Sequence, residues 1–101
     1  MDLRFDPPIH PGEILREEYL VPLRMSAGVL ARKLGVPRTR IERLAAEQSP
    51  VTTDTALRLA KFFRTSPRFW MNMQASYDLA VVADAKRAEI DAIPEMPAEA
   101  A

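Results

Sequence analysis

The side chains best suited to chemistry lie within six residues of one another: Arg38, Thr39, Arg40, Glu42 and Arg43. Arginine carries a planar fork of N–H donors that matches O6 and N7 of guanine. One such contact discriminates between bases by about 1–3 kcal/mol. Thr39 offers a methyl and a hydroxyl, suited to a thymine methyl or a phosphate. Glu42 has two uses: it can accept from a cytosine amino group, or hold Arg38 as an (i, i+4) pair until DNA displaces it. Arg24, Arg32 and Lys33 suit phosphate contacts, which set register without reading sequence. Ser26 completes the candidate DNA-contacting set.

Other chemistry finds little support. There is one histidine and no cysteine. No Gly-rich phosphate loop and no metal-ligand spacing appears, so neither a catalytic centre nor a cofactor is expected. Glu13, Glu17 and Glu18 cluster, but on a surface helix such a group solvates the face and complements the helix dipole. His10 reads as the cap of a helix, not as a ligand.

The elements that must position Arg38–Arg43 are legible in SAGVLARKLGVPRTRIERLAA (26–46). Leu30, Ala31 and Leu34 precede Gly35, and Val36, Ile41 and Leu44 follow it, the spacing of two short helices that cross. Ala31 is small enough for close passage, and Gly35 admits the positive φ that ends a helix within a turn. This packing leaves Arg38, Thr39, Glu42 and Arg43 outward with Arg40 at the edge. The result is a helix-turn-helix with a basic second helix, the arrangement that enters the major groove. Ser26 is a good N-cap. Gly28 is a weakness of about 1 kcal/mol relative to alanine, tolerable where close approach to a neighbour or a phosphate is useful.

The remaining chain reads as helices. Residues 1–9 form an arm opposed to regular structure by Pro7-Pro8. A helix begins at His10-Pro11-Gly12-Glu13, buries Ile14, Leu15 and Tyr19, and closes at Val21-Pro22. The third helix starts at Pro37. A fourth, capped by Thr52, buries Ala56, Leu59, Ala60 and Phe63. A fifth opens at Ser66-Pro67, buries Trp70, Met73 and Tyr77, and runs as far as Ile93 before Pro94; Phe69 is assigned to the core with Trp70, with exposure of one of the two rings at a dimer contact left open. The expected fold is all-α: a five-helix helix-turn-helix domain over residues 10–81, then a helical extension and acidic tail over 82–101. Leu79, Val81, Val82, Ala83, Ile90 and Ile93 exceed what a solvated tail requires. They either pack back on the domain or, as favoured here, form a protein–protein surface.

The chain has 101 residues, enough for one domain, with 48% apolar and 28% charged side chains. Its net charge is zero, which argues against a generic polyanion binder. The distribution says more: residues 23–77 hold ten basic and three acidic groups, and the two ends four basic and eleven acidic. A local basic face between acidic ends is compatible with DNA binding. The N-terminus carries no apolar leader and no segment approaches the roughly 20 apolar residues of a span, so a cytoplasmic location is expected.

These segments together resemble the HigA-type antitoxins, a branch of the phage-repressor-like helix-turn-helix family. The resemblance covers about residues 10–81 and rests on HPGEILREEYLVPL (10–23), LARKLGVPRTRIERL (30–44), TTDTALRLAKFF (52–63) and TSPRFWMNMQASYDL (65–79). The first and last are the more diagnostic. The resemblance implies a homodimer that binds an inverted repeat of double-stranded DNA in its own promoter. It also implies a partner toxin, typically an mRNA-cleaving ribonuclease, neutralised by direct binding. Two departures stand out. Ala27 replaces a Gln-like residue, and Ala46-Glu47 stands where an Asn-Gly pair with basic neighbours is usual. Both predict weaker or more dimer-dependent DNA binding, carried mainly by Arg38, Thr39 and Arg43. The alternatives are a stand-alone regulator and a toxin-binding protein with decayed DNA binding.

Overall fold

The structure is a computed structural model and describes residues 7–98; of the expected arm it covers residues 7–9. Six helices and no strand occur among the described residues. The first, α1, has three contiguous parts: α-helical over Pro11–Ile14, π-helical over Leu15–Leu20, and α-helical over Val21–Leu23. Then follow α2 (Ala27–Leu34), α3 (Arg38–Ala45), α4 (Thr53–Phe63), α5 (Pro67–Ala85) and α6 (Arg87–Asp91).

Two boundaries differ from expectation. Val21-Pro22 does not close α1, because the π turn before it changes the pairing. Val21 N–H reaches five residues back to the Arg16 carbonyl, and Pro22 falls in the first turn of the resumed α-helix, where a missing donor matters least. The fifth helix is not continuous to Ile93. It stops at Ala85, and Lys86 (φ −110°, ψ 13°) leaves helical geometry before the short α6. Pro37 is the N-cap of α3 and not its first residue.

Each of the first five helices places at least one fully buried side chain in a single core: Leu15, Leu30, Ile41 with Leu44, Leu59, and Trp70. Tyr19, Phe63 and Trp70 stack beside it with centroids 4.5–6.5 Å apart, and the indole Nε1 donates to Thr65 Oγ1 at 2.8 Å. Of the two rings assigned to the core, Trp70 is fully buried and Phe69 is the exposed one, with 39% of its surface in solvent; it meets Trp70 edge-on at 5.1 Å. Beyond Ala80 every described residue is exposed, so the extension does not pack back on the domain. Its Val82, Ile90 and Ile93, and Leu79 just before it, remain uncovered.

Four helix ends close by one device. At Arg24, Gly35, Glu47 and Arg64 the chain turns left-handed, with φ of 51°, 72°, 63° and 59°. The next N–H then bonds five residues back: Met25 to Leu20, Val36 to Ala31, Gln48 to Arg43 and Thr65 to Ala60, at 2.8–3.0 Å. Glycine occupies one of these positions only.

Candidate nucleic-acid interface

The crossing of α2 and α3 is built as the spacing requires. Ser26 Oγ accepts from Val29 N–H at 3.1 Å and starts α2. Gly35 ends it, and Ala31, 1% exposed, lies in the contact. Ile41 and Leu44 are buried, which fixes the opposite face of α3 outward. That face carries Arg38, Thr39, Glu42 and Arg43, all exposed.

The outward side chains divide into two groups. Arg38, 72% exposed at its side chain, approaches Glu42 at 3.5 Å, the (i, i+4) pair expected from sequence. Thr39, Arg40 and Arg43 line an open groove of about 460 Å³, closed on its far side by Ser49, Pro50, Thr52 and Thr55. Arg43 has no ion-pair partner among the described residues. Arg40 is engaged: its guanidinium lies 2.6 Å from Asp54, which also accepts from Arg58 at 3.0 Å. These two hydrogen bonds hold the Asp54 carboxyl below the usual carboxylate range. Arg32 and Lys33 are exposed in the last turn of α2 and do not line the groove.

Several residues that position this surface gave no sequence signal of that role. Arg16 of α1 donates to the Ala45 carbonyl and pairs with Glu47 at 3.1 Å, so it caps the C-terminal end of α3. Arg58 of α4 donates to the Leu34 carbonyl at 2.7 Å and does the same for α2. Exposed helix-end carbonyls carry partial negative charge, which is why cations gather there. Gly12 packs against the Leu44 carbonyl, where a Cβ would overlap the oxygen. Gln74, buried in α5, accepts from Val51 N–H at 2.8 Å and so fixes the chain entering α4. Such long-range pairs leave no periodicity, although Gly12 and Arg16 fall inside HPGEILREEYLVPL (10–23), Arg58 inside TTDTALRLAKFF (52–63) and Gln74 inside TSPRFWMNMQASYDL (65–79).

His10 caps α1, as its position suggested: Nδ1 accepts from Gly12 N–H at 2.9 Å, and the ring meets Tyr77 edge-on at 4.8 Å. Burial pushes its pKa below the ordinary value, against a weaker pull from Glu47 and Asp78.

Glu47 was expected to remove phosphate contacts as an acid where glycine is usual. In the fold it adopts the left-handed conformation a glycine would take, and Arg16 partly neutralises it. Among the described residues no cluster of side chains could hold a metal ion, and no helix is long and apolar enough to cross a membrane.

A helix-turn-helix family profile matches residues 15–70. The chain is 49% identical over 81 residues to virulence-associated protein I of Dichelobacter nodosus, covering 80% of this chain and 75% of that protein. The structure of Pseudomonas aeruginosa antitoxin HigA with the higBA promoter superposes with a TM-score of 0.86 at 41% identity, over 89% of this chain and 99% of the other. Antitoxin GraA in complex with its operator gives a TM-score of 0.87 at 37% identity, over 97% and 99%.

Proposed function

This chain belongs to the helix-turn-helix family and, within it, to the HigA-type antitoxins; on that premise we propose that it binds an inverted repeat in its own promoter through α3. The observation that carries this reading is the outward face of α3, where Arg38, Thr39 and Arg43 stand exposed while Ile41 and Leu44 anchor the helix. Arg38 and Arg43 read guanines through their guanidinium forks, and Thr39 touches a thymine methyl or a phosphate. Arg40 acts from the edge through its ion pair with Asp54. Ser26, Arg32 and Lys33 serve the phosphates, and Glu42 releases Arg38 on binding or meets a cytosine amino group. The family is one of regulators and antitoxins, not enzymes.

A two-fold dimer presents two such helices to half-sites about one helical turn apart. The same chain, acting in the cytoplasm, neutralises a partner ribonuclease toxin by direct contact. The acidic residues of the C-terminal segment suit a basic partner.

Gel shifts with the DNA upstream of the coding sequence test the reading. Arg38→Ala and Arg43→Ala each weaken binding by about tenfold or more, the equivalent of one bidentate base contact. Undiminished binding by both variants overturns the assignment of α3. Co-purification tests the toxin: neutralising Asp84, Glu89 and Asp91 together weakens the complex, and an unchanged Kd moves the contact elsewhere.

A further inference from the structure

We propose that Gly28 is a specificity-determining residue, acting by leaving open the trough along which the stem of Arg38 lies. The inference rests on the reading of Arg38 as a DNA contact. A Cβ at Gly28 would stand 3.0 Å from Arg38 Cδ and 3.5 Å from its Cγ, with Ser26 Oγ next at 3.9 Å. Outside its own helix, what a side chain at Gly28 would meet first is therefore the aliphatic part of the first side chain of α3, not the core.

The other glycines have different reasons to be glycine. Gly35 turns left-handed at the end of α2, and Gly12 meets a carbonyl oxygen. Gly28 has neither constraint: it is not among the residues with positive φ, and it sits in the first turn of α2, where a better helix former would serve. Its missing side chain matters to Arg38.

Arg38 is otherwise loosely held. It is the first residue of α3, its side chain is 72% exposed, and its one ion-pair contact is Glu42 at 3.5 Å. Gly28 beneath the stem and Glu42 beside the guanidinium restrict it from two sides. A long side chain restricted before binding loses less rotamer freedom on binding and meets the base edge in one orientation. Filling the trough pushes the stem away from α2 and the fork out of that orientation. Binding to any duplex by phosphate contacts stays as it was.

The test titrates the full chain with its own upstream DNA and with a scrambled duplex of equal length, and records thermal melting. Gly28→Leu is expected to weaken upstream-DNA binding about tenfold, to leave scrambled-duplex binding within about twofold, and to melt no lower than the parent. Gly28→Ala, which adds the Cβ alone, gives a smaller loss of the same kind. If Gly28→Leu melts lower, Gly28→Ala carries the comparison. In an Arg38→Ala background neither substitution weakens binding further.

Parent-like discrimination by Gly28→Leu overturns the inference, or by Gly28→Ala where that variant carries the comparison. So does an equal loss on both duplexes, or an undiminished loss in the Arg38→Ala background. If Arg38→Ala itself binds upstream DNA like the parent, the reading of Arg38 fails and the inference falls with it. If Arg38→Ala weakens binding and the Gly28 variants do not, the inference alone fails.

Discussion

Gly12 of α1 lies directly against the backbone carbonyl of Leu44 in α3, with no space for a side chain between them. The N-terminal turn of one helix thereby sets the depth at which α3 sits. Gly12→Ala must push α1 off α3. Overpacking of this kind typically destabilises by about 1–3 kcal/mol, and here the obstacle is backbone, so the upper end is expected. Urea denaturation checks it: the midpoint falls with little change in slope. A midpoint equal to the parent's shows that the two helices can separate freely.

Glu47→Gly separates strain from pairing. The substitution removes a non-glycine residue from φ 63° and also removes the partner of Arg16. Leaving left-handed geometry to glycine gains about 1 kcal/mol, and a half-exposed ion pair is worth less than about 1 kcal/mol. The variant should melt at or slightly above the parent's temperature. A clear drop means that Arg16 holds α3 chiefly through Glu47 and not through the Ala45 carbonyl.

Acidification acts on His10. Its folded pKa lies below its ordinary value of 6.5, so between the two the unfolded chain binds more protons than the folded one. The contribution of His10 is then complete above pH 6.5 and is lost as pH falls through the folded value. Protonation also removes the Nδ1 acceptor that holds Gly12 N–H. His10→Asn keeps a cap acceptor without titrating in this range. Melting temperature followed from pH 7.5 downward should fall sooner for the parent than for His10→Asn. Parallel curves would remove His10 as the cause.

Asp54 neutralises two cations beside the groove, Arg40 and Arg58. Asp54→Asn should tighten binding to DNA of any sequence and steepen its salt dependence, by up to about one unit in the log–log slope for each additional phosphate that the freed arginines neutralise. Its depressed carboxyl pKa predicts the same from pH: the ion pairs are intact above the ordinary value of 3.8 and are lost as pH falls through the lowered one. A slope unchanged in the variant indicates that Arg40 and Arg58 stay clear of the phosphates.

Much of the interface was legible because it depends on local rules. Ser26, Thr52 and Ser66 cap helices as their types suggest, and Arg38 pairs with Glu42 at helical spacing. Other features were illegible for definite reasons. Non-glycine residues at Arg24, Glu47 and Arg64 hide helix ends that a glycine would announce. The π turn over Leu15–Leu20 let α1 continue through Pro22. Phe69 fits the apolar composition of a core but falls at the rim of α5.

By itself the sequence determined the presence of the first five helices, though not all their ends, together with the crossing at Gly35, the outward face of α3 and the family. These follow from 3.6-residue periodicity, capping chemistry and the spacing of small residues, all of which act between near neighbours in the chain. The tertiary structure alone decided how α3 is held: by Arg16 at the Ala45 carbonyl, by Gly12 against Leu44, and by Gln74 through Val51. It also decided that Gly28 lies beneath Arg38. These pairs join residues 10 to 32 positions apart, and no local pattern encodes them, because their geometry exists only once the core has closed.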